Sequence, residues 1–259
     1  IRRQRQMCIR DRPKGASKRI EIDGQMVTIT GIAKGSGMIR PDMATMLAFI
    51  ATDASLDPET LQDCLSQATD KSFNRITVDG DTSTNDACVL LASGASAVAV
   101  AGGSEDAQQL QQALNELCLH LAREIVRDGE GATKLVEIVV SGAGTEADAR
   151  AVAYTVAHSP LVKTAMFAAD PNWGRILAAV GRADIQEMDL AEVRIYLDEV
   201  MIVSNGGRDA GYREEDGQRV MQRDAYEIRI ELGMGQARAR VLTCDFSFDY
   251  VKINAEYRT

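Results

Sequence analysis

Hydrophobic and polar residues alternate along residues 18–30, and this alternation predicts two β-strands. The pair Asp23-Gly24 interrupts the alternation. A two-residue hairpin turn needs positive φ at its central positions, which Asp tolerates and Gly adopts freely. We therefore expect a β-hairpin that leads into a Gly-rich loop, followed by a buried strand over residues 46–52.

A period of three to four residues predicts the helices. Asp57-Pro58-Glu59 is typical of a helix start, because it supplies an N-cap, a proline at the first helical position and an acidic residue in the first turn. The clearest helix spans residues 105–127, where large aliphatic residues recur on one face. His120 lies within this helix and is expected to be structural or solvent-facing.

The rest of the chain predicts strands and helices that alternate without a strict βαβ period, which favours a mixed-sheet α/β fold with α+β character. Strands are expected at 73–78, 135–141, 193–203, 226–232 and 238–246, helices at 146–158 and 174–180, and a further buried segment at 87–92. The stretch from Gly142 to Thr145 is the expected boundary to a second, smaller α/β domain.

A polar loop over residues 79–86 reads Asp-Gly-Asp-Thr-Ser-Thr-Asn-Asp. Its composition suits a cation site or a substrate-binding loop, but it lacks the ligand spacing and terminal Glu of an EF-hand. A cluster of Asx turns between two strands accounts for the same residues. From the residues alone, the turn cluster is the favoured interpretation.

Composition limits the functional classes. The chain has 259 residues, 45% of them hydrophobic and 26% charged, with a formal net charge of −9. This balance is ordinary for a globular protein and argues against nucleic acid as a partner. No apolar run reaches the ~18 residues that span a membrane. Five cysteines without a Cys-x-x-Cys pair indicate reduced thiols and a cytoplasmic protein.

Two histidines are present, so we expect no His-rich metal site. Residues 1–12 (IRRQRQMCIRDR) hold several arginines and no hydrophobic periodicity. A basic arm for nucleic acid is one interpretation of them, but the overall charge opposes it. We interpret residues 1–12 as a non-native or disordered basic segment.

The candidate nucleophile is Thr45, which ends a Gly-rich run through Gly31, Gly35 and Gly37. A threonine hydroxyl needs a base at neutral pH, and the threonine's own α-amino group can serve once the preceding peptide bond is cut. The scarcity of histidine favours such a base. Lys34 could place a cation beside a carboxylate substrate. A turn before a strand explains the same residues without any chemistry.

The run 31–47 resembles the self-cleavage site of ornithine acetyltransferase, also called glutamate N-acetyltransferase, an enzyme family of arginine biosynthesis. Three further blocks are similar to that family, and together the four cover residues 13–259 in the family's order. These blocks are TVDGDTSTND at 77–86, DPNWGR at 170–175 and INAEYRT at 253–259.

The resemblance implies a self-processing, N-terminal-nucleophile-like fold and cleavage between Ala44 and Thr45. Residues 13–44 would then end an α chain, residues 45–144 would form the nucleophile domain of a β chain, and residues 145–259 would form the second domain. The family's precursor extends upstream, so the chain is expected to be truncated at its N-terminus. The family assembles as an α₂β₂ heterotetramer.

The implied activity is transfer of acetyl from N-acetylornithine to glutamate through an acetyl-Thr45 intermediate. The resemblance assigns substrate binding to Lys34, Thr45, Glu130, Asn254 and Thr259. It implies no cofactor and no metal, although bifunctional members also use acetyl-CoA as an acetyl donor. Small-molecule substrates are thus expected, with no nucleic acid and no membrane.

Two departures from the family's pattern qualify this expectation. Position 42 is Asp where Asn is common, and the family's oxyanion-stabilising Thr-Gly pair lies upstream of this chain. The alternatives are an N-terminal-nucleophile amidohydrolase or aminopeptidase, in which water accepts the acyl group, and an inactive truncated fragment. Glu130 between two glycines could also be a simple helix-end turn residue.

Overall fold

The computed structural model describes residues 12–40, 46–82, 86–186 and 188–256. Ala44, Thr45, Asp42 and Thr259, on which several predictions fall, lie outside the described residues. The described part is a mixed α/β structure that divides into two units, Ile1–Asp128 and Gly129–Thr259.

The strands of the described part are β1 (Lys14–Ile22), β2 (Gln25–Lys34), β3 (Leu47–Thr52), β4 (Ile76–Thr77), β5 (Ala87–Ala92), β6 (Leu135–Ala143), β7 (Arg194–Leu197), β8 (Val200–Ser204), β9 (Gly207–Arg208), β10 (Ala225–Glu231) and β11 (Ala237–Cys244). Its helices are α1 (Pro58–Asp70), α2 (Glu105–Arg127), α3 (Glu146–Ala157), α4 (Pro160–Ala168), α5 (Trp173–Gly181), α6 (Glu214–Met221) and α7 (Phe248–Glu256). None of these helices is long and apolar enough to cross a membrane.

The first unit is built on a four-stranded sheet in the order β1-β2-β3-β5. The predicted hairpin is confirmed: Ile22 pairs with Gln25 in the antiparallel β1/β2 ladder, and Asp23 and Gly24 have φ values of 49° and 71°. β3 runs antiparallel to β2 and parallel to β5. The predicted N-cap is also confirmed, because the Asp57 carboxylate accepts from the Glu59 and Thr60 N–H groups that begin α1.

Helix α2 packs on β1 and β2 and against α1. Its buried face is the one that the sequence predicted, with Leu110, Leu114, Leu117, Leu121 and Ile125 inside, while His120 is exposed. The helix lies so close to the sheet that a Cβ on Gly31 would come within 2.9 Å of Leu117 Cδ2. Glycine at position 31 therefore permits this packing.

The second unit is built on strands in the order β11-β6-β10-β7-β8-β9. β6 and β10 are parallel, and the other adjacent pairs are antiparallel. Helix α3 packs on β6 and β11, and a capping box at Thr145 and Asp148 fixes its first turn. The helix predicted at the Asn172-Trp173 block is α5, with the Asn172 side chain accepting from Arg175 N–H.

Several sequence-based predictions need correction. The strand expected at 73–78 is a 3₁₀ turn (Phe73–Arg75) followed by the two-residue β4, because Arg75 folds back and donates from Nε to the Asp70 carbonyl at 2.8 Å. The strand expected at 193–203 is the pair β7 and β8. Helices α4, α6 and α7, of eight or nine residues each, were not predicted.

The segments at 46–52 and 87–92 are strands, but neither is fully buried. β3 buries alternate residues, and Leu91 of β5 is 58% exposed. Helix α2 contacts β1 and β2 of this sheet, and α1 contacts β5. The division between the two units falls before Gly129, ahead of the boundary expected at 142–145, because β6 is an interior strand of the second sheet.

Candidate functional site

Lys34 is the last residue of β2, and its side chain is exposed. It pairs with Leu47 in the β2/β3 ladder. Leu47 lies two residues after the candidate nucleophile in the sequence, so the ladder brings the Lys34 backbone beside the beginning of β3. The sheet therefore places one predicted substrate contact next to the chain segment that follows Thr45.

Asp86 holds the residue that directly follows Thr45. Its Oδ1 accepts a hydrogen bond from Met46 N–H at 2.6 Å, and the Met46 carbonyl accepts from Ala87 N–H at 3.1 Å. Burial raises the pKa of the Asp86 carboxyl, while the Met46 hydrogen bond and the nearby Lys34 charge offset part of that rise. Lys34 and Asp86 are thus electrostatically linked at the beginning of β3.

Asp79 holds the chain on the other side of the candidate cleavage site. Its carboxylate accepts from Met38 N–H at 2.6 Å and from Ile39 N–H at 3.0 Å. The Ile39 carbonyl accepts from Val78 N–H at 3.0 Å and from Thr77 Oγ1 at 3.0 Å. Burial raises the pKa of the Asp79 carboxyl against these backbone hydrogen bonds.

Sequence reasoning singled out the loop at 79–86 but gave no role to Asp79 or Asp86. Each carboxylate accepts from backbone N–H groups about 40 residues away in the chain, and no local spacing indicates such a contact. The available signal was the density of aspartates within the family-like block 77–86. The described ends of the loop therefore do more than make Asx turns.

An open cavity of about 390 Å³ lies beside Met46 and Asp86 in the first unit. Its walls come from α1, the 3₁₀ turn and the beginning of β5. They combine polar and apolar side chains: Gln62, Leu65, Ser66, Thr69, Phe73, Asn74, Ala87 and Cys88. This concave surface thus lies next to the residue that follows Thr45.

Glu130 and Asn254, both predicted to bind substrate, meet in the second unit. Asn254 Nδ2 donates to Glu130 Oε2 at 3.1 Å and to the Tyr250 carbonyl at 3.0 Å. Glu130 is half-buried, whereas Asn254 lies on an exposed turn of α7. The pair forms a carboxylate and amide surface suited to an ammonium group, because the carboxylate accepts hydrogen bonds and carries the opposite charge.

The backbone at Gly131 makes this pairing feasible. Gly131 has φ +69°, and a Cβ there would lie 2.3 Å from Tyr250 N. The Gly131 carbonyl accepts from Ser247 Oγ at 2.6 Å, and Ser247 Oγ in turn accepts from Tyr250 N–H at 3.3 Å. The turn that carries Glu130 is therefore in direct backbone contact with the first turn of α7.

Aromatic packing supports the same helix. The rings of Phe246 and Tyr250 stack with centroids 4.5 Å apart, and Lys163 Nζ lies 4.5 Å from the Phe246 centroid. Lys163 is almost fully buried on α4 and donates to Thr243 Oγ1 at 2.9 Å. These contacts connect α7 to α4 and to the end of β11.

The described residues contain no group of three or more His, Cys, Asp or Glu side chains that could hold a metal ion. Of the predicted site, the structure shows the flanks of the Thr45 segment in one unit and the Glu130–Asn254 pair in the other. Thr45 and Thr259 lie outside the described residues, so their predicted roles stay predictions.

The sequence matches the ArgJ family over residues 7–259. It is 59% identical over 249 residues to the arginine biosynthesis bifunctional protein ArgJ of Methylococcus capsulatus, covering 96% of this chain and 61% of that protein. It is 54% identical to the ArgJ protein of Pseudomonas fluorescens, covering 95% of this chain and 62% of the relative. The chain thus spans about three fifths of the length of these curated relatives.

The fold is similar to the crystal structure of the arginine biosynthesis bifunctional protein argJ from Bacillus halodurans. The TM-score is 0.77 at 40% identity, over 81% of this chain and 98% of that one. Agreement in sequence over nearly the whole chain and agreement in fold lead to the same conclusion. The chain belongs to the ArgJ family.

Proposed function

We propose that this chain contains the self-cleavage site and nucleophile of an acetyltransferase that moves acetyl from N-acetylornithine to glutamate. The observation that carries the proposal is family membership over residues 7–259, which includes the run around Thr45. The contacts of Met46 with Asp86, and the position of Lys34 opposite Leu47, support a built site at the beginning of β3.

Self-cleavage begins when Thr45 Oγ attacks the Ala44 carbonyl carbon and loses its proton. The bond from that carbon to the Thr45 nitrogen breaks, and the nitrogen takes up a proton to become a free amine. Water then hydrolyses the resulting ester, which leaves a carboxylate on Ala44 and restores the Thr45 hydroxyl. The products are an α chain that ends at Ala44 and a β chain that begins at Thr45.

In acetyl transfer the free Thr45 amine acts as the base for its own hydroxyl. The hydroxyl attacks the acetyl carbonyl of N-acetylornithine, ornithine leaves with a proton on its amine, and acetyl-Thr45 remains. The glutamate amine then attacks this ester, forming N-acetylglutamate and restoring Thr45. Acetyl-CoA would serve as an alternative donor through the same ester.

The proposed substrate contacts are those that the family resemblance implies, and the charges of Glu130 and Lys34 suit them. Glu130, with Asn254 beside it, would hold the ammonium groups of ornithine, and Lys34 would hold a carboxylate. Thr259 would contribute a further polar contact. Donors to the developing oxyanion, which typically contribute ~10²–10³ in rate, would come from the upstream Thr-Gly pair. We further propose a cytoplasmic α₂β₂ assembly of the cleaved chains.

The intact masses of the purified 259-residue chain and its Thr45→Ala variant test the proposal. Each of the two chains is measured in two forms: the 259 residues by themselves, and the same residues preceded by the corresponding upstream residues of the Methylococcus relative. We expect two fragments that join at 44/45 in the extended wild-type chain and one uncut chain in the variant. Cleavage of Thr45→Ala at the same bond would refute the nucleophile assignment.

An assay of the cleaved protein with N-acetylornithine shows whether glutamate or water accepts the acetyl group. Appearance of N-acetylglutamate only when glutamate is present supports transfer. Release of free acetate at the same rate with and without glutamate would instead establish an amidohydrolase. The extended Thr45→Ala protein is the control for contaminating activity.

A further inference from the structure

We propose that Asp86 is a positioning residue for Thr45, and that Asp79 and Asp86 together hold the two flanks of the cleavage site in register. The proposal rests on the function proposed above. It is carried by the backbone contacts of Ile39 and Met46, the two buried residues on either side of the segment 40–45.

The downstream flank is held at both polar groups of one residue. Met46 donates its N–H to Asp86 Oδ1 at 2.6 Å and accepts from Ala87 N–H through its carbonyl at 3.1 Å. Both partners are neighbours in sequence, so Met46 is bonded to one short stretch of backbone. This fixes the position and the orientation of Met46 at the beginning of β3.

The upstream flank has the same arrangement. Ile39 donates its N–H to Asp79 Oδ1 at 3.0 Å and accepts from Val78 N–H at 3.0 Å. Asp79 Oδ2 also accepts from Met38 N–H at 2.6 Å. In both flanks an aspartate carboxylate accepts a hydrogen bond from the N–H of a buried residue. The carbonyl of that buried residue accepts a hydrogen bond from the backbone N–H of a residue next to the aspartate.

Peptide planarity carries the positioning from Met46 to Thr45. The N–H of Met46 lies in one plane with the Thr45 carbonyl and the Thr45 Cα, because the bond between the two residues has partial double-bond character. A Met46 N–H that Asp86 holds therefore restrains the peptide group through which Met46 is joined to Thr45. Misplacement of a nucleophile by about 1 Å can cost ~10²-fold in rate.

The two aspartates should differ in their effects on the two reactions. Before cleavage both flanks are joined covalently to the scissile bond, so both aspartates should matter. After cleavage the upstream flank is no longer joined to Thr45, whereas Met46 still is. Asp86 should therefore affect cleavage and acetyl transfer, and Asp79 should affect cleavage more than transfer.

The variants Asp86→Ala, Asp86→Asn, Asp79→Ala and Asp79→Asn test this division in the extended full chain. Asp53→Ala is the matched control, because Asp53 Oδ1 accepts a backbone N–H from Thr28 at 2.8 Å in the same unit. Self-cleavage is followed by intact mass, and acetyl transfer is expressed per cleaved chain. Thermal unfolding of each variant separates lost positioning from lost folding.

We expect Asp86→Ala to slow both cleavage and transfer per cleaved chain at least ~10-fold relative to Asp53→Ala. Asp86→Asn should recover most of this loss, because its amide oxygen can still accept from Met46. Asp79→Ala should slow cleavage by a similar factor, with a smaller loss in transfer. Equal transfer by Asp86→Ala and Asp53→Ala, or no recovery in Asp86→Asn, would overturn the proposal.

A second measurement needs no activity at all. The two flanks each contain a methionine amide that an aspartate holds, so ¹⁵N-methionine labelling reports both among ten methionines. Asp86→Ala should speed hydrogen exchange at Met46 but not at Met38, and Asp79→Ala should do the reverse. If the extended wild-type chain neither cleaves nor transfers acetyl, the proposed function fails, and unchanged Met46 exchange in Asp86→Ala overturns the positioning role separately.

Discussion

Asn254 donates a hydrogen bond to Glu130 at 3.1 Å, although 124 residues separate them in the sequence. Family resemblance predicted each residue as a substrate contact, and the fold joins them by seating the first turn of α7 against Gly131. The pairing places the amide and the carboxylate side by side on one surface.

Replacing Glu130 by Gln should weaken binding of the basic substrate more than that of the acidic one. A hydrogen bond to a charged group contributes about 1.5–3 kcal/mol, so kcat/KM for N-acetylornithine should fall about 10- to 100-fold. Steady-state kinetics with each substrate varied separately measures this. Glu124→Gln, whose partner is Arg127 on α2, is the control; equal losses for both substrates would contradict the assigned role.

The geometry at Gly131 gives a stability prediction. Gly131→Ala combines a left-handed φ with a clash against Tyr250 N at 2.3 Å. Gly103→Ala is the matched control, since Gly103 has φ +76° and nothing within 4 Å of a new Cβ. Both variants should lose about 1–2 kcal/mol from backbone strain, and Gly131→Ala at least about 1 kcal/mol more from the clash.

Urea unfolding of the two glycine variants measures the difference. KM for N-acetylornithine should rise only in Gly131→Ala, because the clash forces the Glu130 turn and α7 apart. Equal unfolding free energies in the two variants would show that the Gly131 turn does not contact α7 as described.

The pKa of Asp86 should depend on Lys34. Burial raises the pKa of Asp86 above its ordinary value of 3.8, and the Lys34 charge opposes that rise. Replacing Lys34 by Met should therefore move the Asp86 pKa further upward, so that the carboxylate forms at higher pH. Carboxyl ¹³C NMR titration, assigned with Asp86→Asn, measures the shift; a fall in the pKa would contradict the electrostatic link.

The Cys88 thiol should react slowly with alkylating reagents. Burial raises its pKa to about 11, and an unperturbed cysteine has a pKa of about 8.5. Its thiolate fraction at pH 7.5 should therefore be about 10²-fold lower than that of a free cysteine, and its alkylation correspondingly slow. Peptide mapping after iodoacetamide treatment of the folded chain measures this. The urea-unfolded chain should label rapidly at Cys88, and equal labelling in both states would contradict the burial.

The raised pKa of the Cys88 thiol should make the folded chain less stable at high pH. A thiol with a pKa raised by folding binds its proton more tightly in the native state. Its contribution to stability is present below the pKa of the unfolded thiol and is lost as the pH rises toward about 11. Cys88→Ser should consequently lessen the decline in stability between pH 8.5 and pH 11.

The sequence by itself determined elements whose causes are local. The alternation around Asp23-Gly24 fixed the hairpin, because turn geometry and side-chain alternation act within a few residues. The leucine face of α2 and the cap at Asp57 were likewise readable, since each depends on neighbours two to four positions away. Thr45 and Lys34 were already candidates from the chemistry of their own segment, whereas Glu130 and Asn254 were identified only through resemblance to a family.

Only the tertiary structure decided contacts between distant residues. Asp79 and Asp86 each accept a hydrogen bond from a backbone N–H about 40 positions away in the sequence. Glu130 accepts one from Asn254, which is 124 positions away. Leu91 is exposed while its neighbour Leu90 is buried, which depends on how β5 packs in the folded unit, and the short helix α7 lies against the turn at Gly131. Such features arise from the packing of complete elements, which local patterns of hydrophobic and polar residues do not specify.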